Sequence, residues 1–246
     1  KIEKEKLLFT YNLSKMNRLK IISIIPARSN SKRIKNKNLV LFKQKPLIAH
    51  SILHSLASKL ISRTIVSTDS KKYLKISKHY GAEVPFLRPK TTSKDNSTDL
   101  ECFNHCLKYL NKKENYFPDI IVHLRPTYPI REKNLIDNCI KTLVKNKKAH
   151  LLKTISKSDS PIEKMWFMKK NKQIFNPATH KNFDYSLPDQ SLKQSYNQNG
   201  CIDIIRVKYL NSKVSSKKII LGYLMDHNFD INTLSDIQKL RKTFKF

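Results

Sequence analysis

The chain has 246 residues and carries 49 Lys and Arg against 19 Asp and Glu, a formal charge of +30. That length fits one large α/β domain or two small ones, and one domain is the reading adopted here. The positives are spread over nearly the whole sequence and no nucleic-acid-binding module accompanies them, which argues against a dedicated nucleic-acid partner.

The first residues, KIEKEKLLFTYNLSKMNRL, are charged and only weakly periodic. The expectation is that Met16 is the true start and that residues 1–18 form a poorly ordered extension before one domain over 19–246. From there strands and helices alternate. Strand LKIISIIPA (19–27), helix PLIAHSILHSLASK (46–59), strand RTIVSTD (63–69) and helix SKKYLKISKHY are followed by helix STDLECFNHCLKYLNKK (97–113) and strand DIIVHLRPT (119–127). Helix EKNLIDNCIKTLVKN (132–146) and strand LLKTISK (151–157) continue the rhythm, which implies an α/β fold with a mostly parallel sheet. Leu100, Phe103, Leu107 and Leu110 fall at helical spacing and read as a core stripe that Cys106 joins.

After Pro161 the pattern changes to short apolar pieces, WFMKKNKQIF, CIDIIRVKYL and KIILGYLM, before a last helix LSDIQKLRKTF. Residues 160–218 therefore read as an excursion that covers one side of a ligand crevice or forms a dimer contact. Cys102, Cys106, Cys139 and Cys201 form no C-x-x-C pair and read as reduced, mostly buried thiols. No apolar run approaches the roughly 20 residues of a membrane helix, so a soluble, cytoplasmic protein without a membrane partner is expected.

In an open α/β sheet, ligands bind outside the carboxyl ends of the strands. Those positions are PARSNSKRIKNKN, STDS and RPTYPIR, all polar and two of them rich in Arg or Lys. A loop with Arg28, Ser31, Lys32 and Lys37 can surround a triphosphate with charge-assisted donors. It has no glycine, so it is neither a Walker loop nor a dinucleotide fingerprint. The histidines are scattered, and His79, His105 and His123 read as packed or exposed rather than catalytic.

IIPARSNSKRIKNKNL resembles the signature of the acylneuraminate cytidylyltransferases, the CMP-sialic acid synthetase family. KPLIAHSI, VSTDS, YGAEVPFLRP, the D-x-S/T pattern at Asp95 to Thr98, LRPTYPIR, NQNGCIDI and GYLMDHNFDIN follow in the family's order. The resemblance implies a Rossmann-like three-layer nucleotidyltransferase fold and the reaction of CTP with a nonulosonic acid, such as a sialic, legionaminic or pseudaminic acid, to give CMP-sugar and pyrophosphate. Kdo-type or another sugar nucleotidyltransferase is the alternative, and a basic nucleic-acid-binding protein a more distant one.

By the resemblance, Arg28 and Lys37 are catalytic, offsetting phosphate charge. Ala27, Arg28, Ser31, Lys32, Asn38, Arg88, Ser97, Thr98 and Arg125 would form the nucleotide side. Gln194, Tyr196 and Asn199 would line the sugar side, and Asp230 and Asn232 would hold Mg²⁺ where the family commonly has an Asp-x-Asp pair. Asp236 is a further carboxylate that could compensate for Asn232. Asn30 and Arg33 stand where glycines are usual, Arg125 where Gln is usual, and Tyr128 where a small residue is usual. A homodimer is implied by the resemblance alone.

Overall fold

Unbroken apolar runs such as IISII can be satisfied only by a strand buried on both faces. In the computed structural model, which describes residues 18–29, 34, 36–177, 184, 186–212 and 218–244, that run is strand β1, Ile21–Pro26. The proposed N-terminal extension with Met16, and Asn30, Ser31, Lys32 and Arg33 of the first loop, lie outside the described residues. Ile21 and Ile25 pack against one helical layer, Ile22 and Ile24 against the other. Ser23 is the polar exception, and a buried hydroxyl chain from Ser23 through Ser55 to Thr64 satisfies it.

The remaining elements follow in order: a small hairpin β2 (Leu41–Phe42) and β3 (Lys45–Pro46), helix α1 (Leu47–Leu56), β4 (Arg63–Ser67) and α2 (Lys71–His79). Helix α3 (Asp99–Glu114), β5 (Ile120–Leu124), α4 (Leu135–Lys145) and β6 (Leu151–Lys157) complete the alternation. A hairpin arm, β7 (Phe167–Met168) and β8 (Ile174–Phe175), precedes β9 (Tyr196–Arg206), β10 (Ile220–Leu224) and helix α5 (Leu234–Thr243).

The main sheet has the order β10-β6-β9-β5-β1-β4. Neighbours pair in parallel except around β9, which runs antiparallel between β5 and β6. Within 160–218, then, β9 belongs to the main sheet, and its Cys201, Ile202, Asp203 and Ile204 are buried there. In α3 the buried stripe is Cys102, Phe103, Cys106 and Leu110. Leu100, read from its spacing as core, is instead 40% exposed, since the first turn of α3 projects past the sheet at its carboxyl edge.

Two segments carry side chains to that edge. Residues 83–88 run beside β4, with Ile65 bridging Glu83 and Thr68 bridging Leu87, so that Arg88 arrives at the end of β4. The loop after β5 is held by Arg131, which is buried. Its guanidinium donates to the carbonyls of Arg125, Tyr128 and Cys201 and to the Ser51 hydroxyl, at 2.6–3.3 Å. Tyr128 is fully buried and donates its hydroxyl to the His227 carbonyl. The large ring at this position therefore faces the core and anchors the 227–231 segment, whose Ile231 N–H donates to the Thr127 carbonyl.

Candidate active site

Because β1, β4 and β5 are parallel, their carboxyl ends open on one side, and a cavity of about 330 Å³ lies there. Arg28, Lys37, Asn38, Arg88, Ser97, Thr98 and Arg125, all nominated from sequence, line it together. His123, Asp95, Asp99 and Thr127 complete much of the wall. Four cations face two carboxylates, so the cavity is positive before any ligand is considered.

Arg88 is the telling cation. It is 6% exposed, its Nε has no hydrogen-bond partner, and it hydrogen-bonds the Cys102 thiol. No carboxylate pairs with it among the described residues. A buried charge left so is costly unless a ligand completes it. At the opposite end of β4, Arg63 shows the structural alternative, bound by both Glu83 and Glu114.

Arg28 is half-buried; its Nη1 lies 3.0 Å from Asp95 Oδ1 and donates to the Lys94 carbonyl at 2.7 Å. Asn38 Nδ2 donates to the Arg28 carbonyl, and Asp69 accepts from both the N–H and hydroxyl of Ser29, so both ends of this short segment are fixed. Thr98 caps α3 in a reciprocal capping box with Glu101, and Ser97 accepts from the Lys94 N–H. Both hydroxyls thus shape the turn that delivers the start of α3 to the cavity.

Arg125 does not present a bare cation. Its Nη1 lies 3.0 Å from Asp203 and its Nη2 3.1 Å from Asp99. Asp203, directly across from His123 in the β5–β9 register, also meets Lys153, Gln198 and His123. Burial alone would raise the Asp203 carboxyl; the His123 hydrogen bond and the Arg125 and Lys153 charges outweigh it and hold the group well below the usual carboxylate range. His123 itself is 2% exposed, its Nδ1 faces both carboxylates and its Nε2 is unpartnered. The sequence reads His123 as packed or exposed and not as part of the site; the signal that could have found it is strand alternation, which puts it on the face of Arg125.

The other nominated residues lie elsewhere. Ala27 is buried and donates its N–H to the Ser67 carbonyl, while its neighbours Pro26 and Arg28 reach the cavity. Gln194 and Tyr196 are exposed, and Gln194 donates to the carbonyls of Ser158 and Ser195. Asn199 is 3% exposed, with its oxygen taken by Thr154 and the Cys201 N–H and its nitrogen by Met225 Sδ. Asn199-Gly200 is thus a bulge within β9 and not a hairpin turn: Gly200 has φ +71°, and a Cβ there would lie 3.2 Å from Arg125 Nη1.

Asp230 and Asn232 flank Ile231, which is tied to Thr127 of the cavity wall. Asn232 Nδ2 donates to Asp230 Oδ2 at 2.7 Å, whereas Asp230 Oδ1 is buried without a partner. Among the described residues no group of three or more His, Cys, Asp or Glu side chains forms a metal cluster. One orphaned carboxylate oxygen beside an amide suits a Mg²⁺ ion that takes its remaining ligands from phosphate and water. Asp236 is committed to capping α5, accepting from the N–H groups of Asn232 and Thr233.

A second cavity of about 390 Å³ lies between α1 and α4, lined by His54, Ser58 and Arg131 among others. Its buried cation Arg131 is spent on carbonyls, and burial with Arg131 nearby pushes His54 down to about 3, leaving it neutral. The edge cavity holds Arg88, a buried cation without a carboxylate partner among the described residues.

A cationic cavity at the carboxyl ends of a mostly parallel sheet stands where α/β folds take their ligands. More particularly, the chain belongs to the cytidylyltransferase family, whose profile matches residues 22–211. It is 30% identical over 224 residues to the N-acylneuraminate cytidylyltransferase of Escherichia coli O18:K1:H7, covering 90% of this chain but 51% of that protein. It therefore spans about half the length of that relative. The pseudaminic acid cytidylyltransferase of Campylobacter jejuni strain 81-176 is 27% identical over 233 residues, covering 92% of this chain and 97% of that one. A solved CMP:2-keto-3-deoxy-manno-octonic acid synthetase complexed with CTP matches with a TM-score of 0.67 over 92% of this chain and 98% of that one; at 13% identity it shares the fold.

Replacing Asp203 by Asn leaves Arg125 and Lys153 without their buried counter-charge and should destabilise the protein by about 3 kcal/mol at pH 7. Since the folded carboxyl titrates below its unfolded value, this contribution is present above about pH 4 and fades as pH falls further. Denaturant unfolding of both proteins at pH 7 and pH 3 checks this; a difference that does not shrink at low pH contradicts it.

Proposed function

We propose that the chain activates a nonulosonic acid of the sialic, pseudaminic or legionaminic type with CTP, yielding the CMP-sugar and pyrophosphate. The observation that carries the reading is Arg88, a buried guanidinium without a carboxylate partner among the described residues, on the wall of a cavity sized for a nucleotide. The names of the relatives add the substrate class.

The anomeric hydroxyl of the sugar forms a new bond to the α-phosphorus as the bond to pyrophosphate breaks, and the hydroxyl proton is lost. Negative charge gathers on the phosphoryl oxygens and leaving group, so the protein's task is to orient the reactants and offset that charge. Arg28 and Lys37 do so on the triphosphate, Arg88 reaches it from the β4 side, and Ser97, Thr98 and the start of α3 frame the nucleoside. Arg125, already paired with two carboxylates, serves as a fixed wall and not as a phosphate ligand. Asp230 and Asn232 would hold Mg²⁺, which when bound neutralises phosphate charge as a Lewis acid. Gln194 and Tyr196 are assigned to the sugar side.

A pyrophosphate-release assay with CTP and a panel of nonulosonic acids and Kdo tests this. Turnover should require both substrates and fall by roughly 10²- to 10³-fold in Arg28→Ala. Absence of turnover across the panel would count against the reading.

Among the described residues no helix is long and apolar enough to cross a membrane, and we place the enzyme in the cytoplasm, where CTP is available. It acts as a homodimer in this reading, supported by Phe167, Met168, Ile174 and Phe175, which lie 47–72% exposed on the β7–β8 arm. Sedimentation equilibrium should give twice the chain mass, reduced to the monomer by Phe167→Asp; a wild-type monomer at micromolar concentration refutes the arrangement.

A further inference from the structure

The Arg28 guanidinium, assigned above to the triphosphate, is engaged before any nucleotide arrives. Asp95 Oδ1 sits 3.0 Å from its Nη1, and the same nitrogen donates to the carbonyl of the preceding residue, Lys94. Both Arg28 and Asp95 line the cavity. The turn bearing Asp95 is closed by its own contacts, Ser97 Oγ accepting from the Lys94 N–H and the Ser97 N–H donating to the Lys94 carbonyl. A carboxylate and a phosphate oxygen cannot both occupy that face of one guanidinium, because each presents acceptors with the same charge.

We infer that Asp95 is an internal occupant of the phosphate subsite, an affinity-setting residue that every ligand engaging Arg28 must displace. This rests on the assignment of Arg28 to the phosphates. The displacement penalty is the same for any such ligand and absent for one that leaves Arg28 alone. Asp95 therefore weakens the binding of CTP and pyrophosphate by a common factor and leaves cytidine untouched, which lowers the advantage of phosphate-bearing ligands over the uncharged nucleoside and eases release of pyrophosphate. The pair is about one-third exposed on both sides, which limits that factor to roughly two- to five-fold.

Calorimetric titration of wild type, Asp95→Asn and Asp95→Ser with CTP, pyrophosphate and cytidine tests the assignment. Both variants should bind CTP and pyrophosphate two- to five-fold more tightly, with cytidine unchanged, and the gain should vanish in an Arg28→Ala background. Equal or weaker binding of CTP and pyrophosphate in both variants overturns it, as does a gain that persists without Arg28. Failure of the functional reading would show separately, as wild-type protein that binds pyrophosphate but releases none from CTP with any sugar acid.

Discussion

Arg131 fixes the loop on which the site depends. With donors on the carbonyls of Arg125, Tyr128 and Cys201 and on Ser51, it ties the turn after β5 to α1 and to the antiparallel strand β9. Burial presses its charge down, and the carbonyl oxygens are what make that burial tolerable. Once the loop is set, Arg125 meets Asp203 and Asp99, Tyr128 reaches the His227 carbonyl, and Thr127 holds Ile231. The cavity wall after β5 and the Asp230 segment are thus placed by one buried cation.

The cavity separates cations by how they are balanced. Arg125 is matched to the buried Asp203 and the more exposed Asp99, and Arg28 is matched to Asp95 on a turn. Among the described residues, Arg88 has only a thiol partner. In the proposed function, this gradient from structural pair to displaceable pair to unmatched charge would let a polyanion be received without unfolding the edge that receives it. The wide surface positivity of the chain adds attraction at a distance but no geometry.

Much of this was legible in the sequence. The alternation of apolar runs marks the strands and helices to within a few residues, and the edge location of the site follows from the parallel order. Arg28, Lys37, Asn38, Arg88 and Arg125 were all singled out from their place after strands or within motifs, and they converge. What could not be read was partnering. Strand β9 lies inside the stretch that reads as an excursion, because an antiparallel insertion leaves no periodic trace distinct from a parallel one. Arg125 and Asp203 are 78 residues apart in sequence, and Asn199 is spent within β9, facts that only the register reveals. Tyr128 was legible as unusual but not as inward-facing.

The central claim is that Arg88 is kept unmatched for the nucleotide and not for the fold. Calorimetric CTP binding together with denaturant unfolding of Arg88→Met measures this directly. The account predicts CTP binding weakened at least about tenfold, the loss of a charge-assisted contact, in a protein as stable as wild type or more so. Unchanged CTP affinity, or a variant destabilised by several kcal/mol, would contradict it.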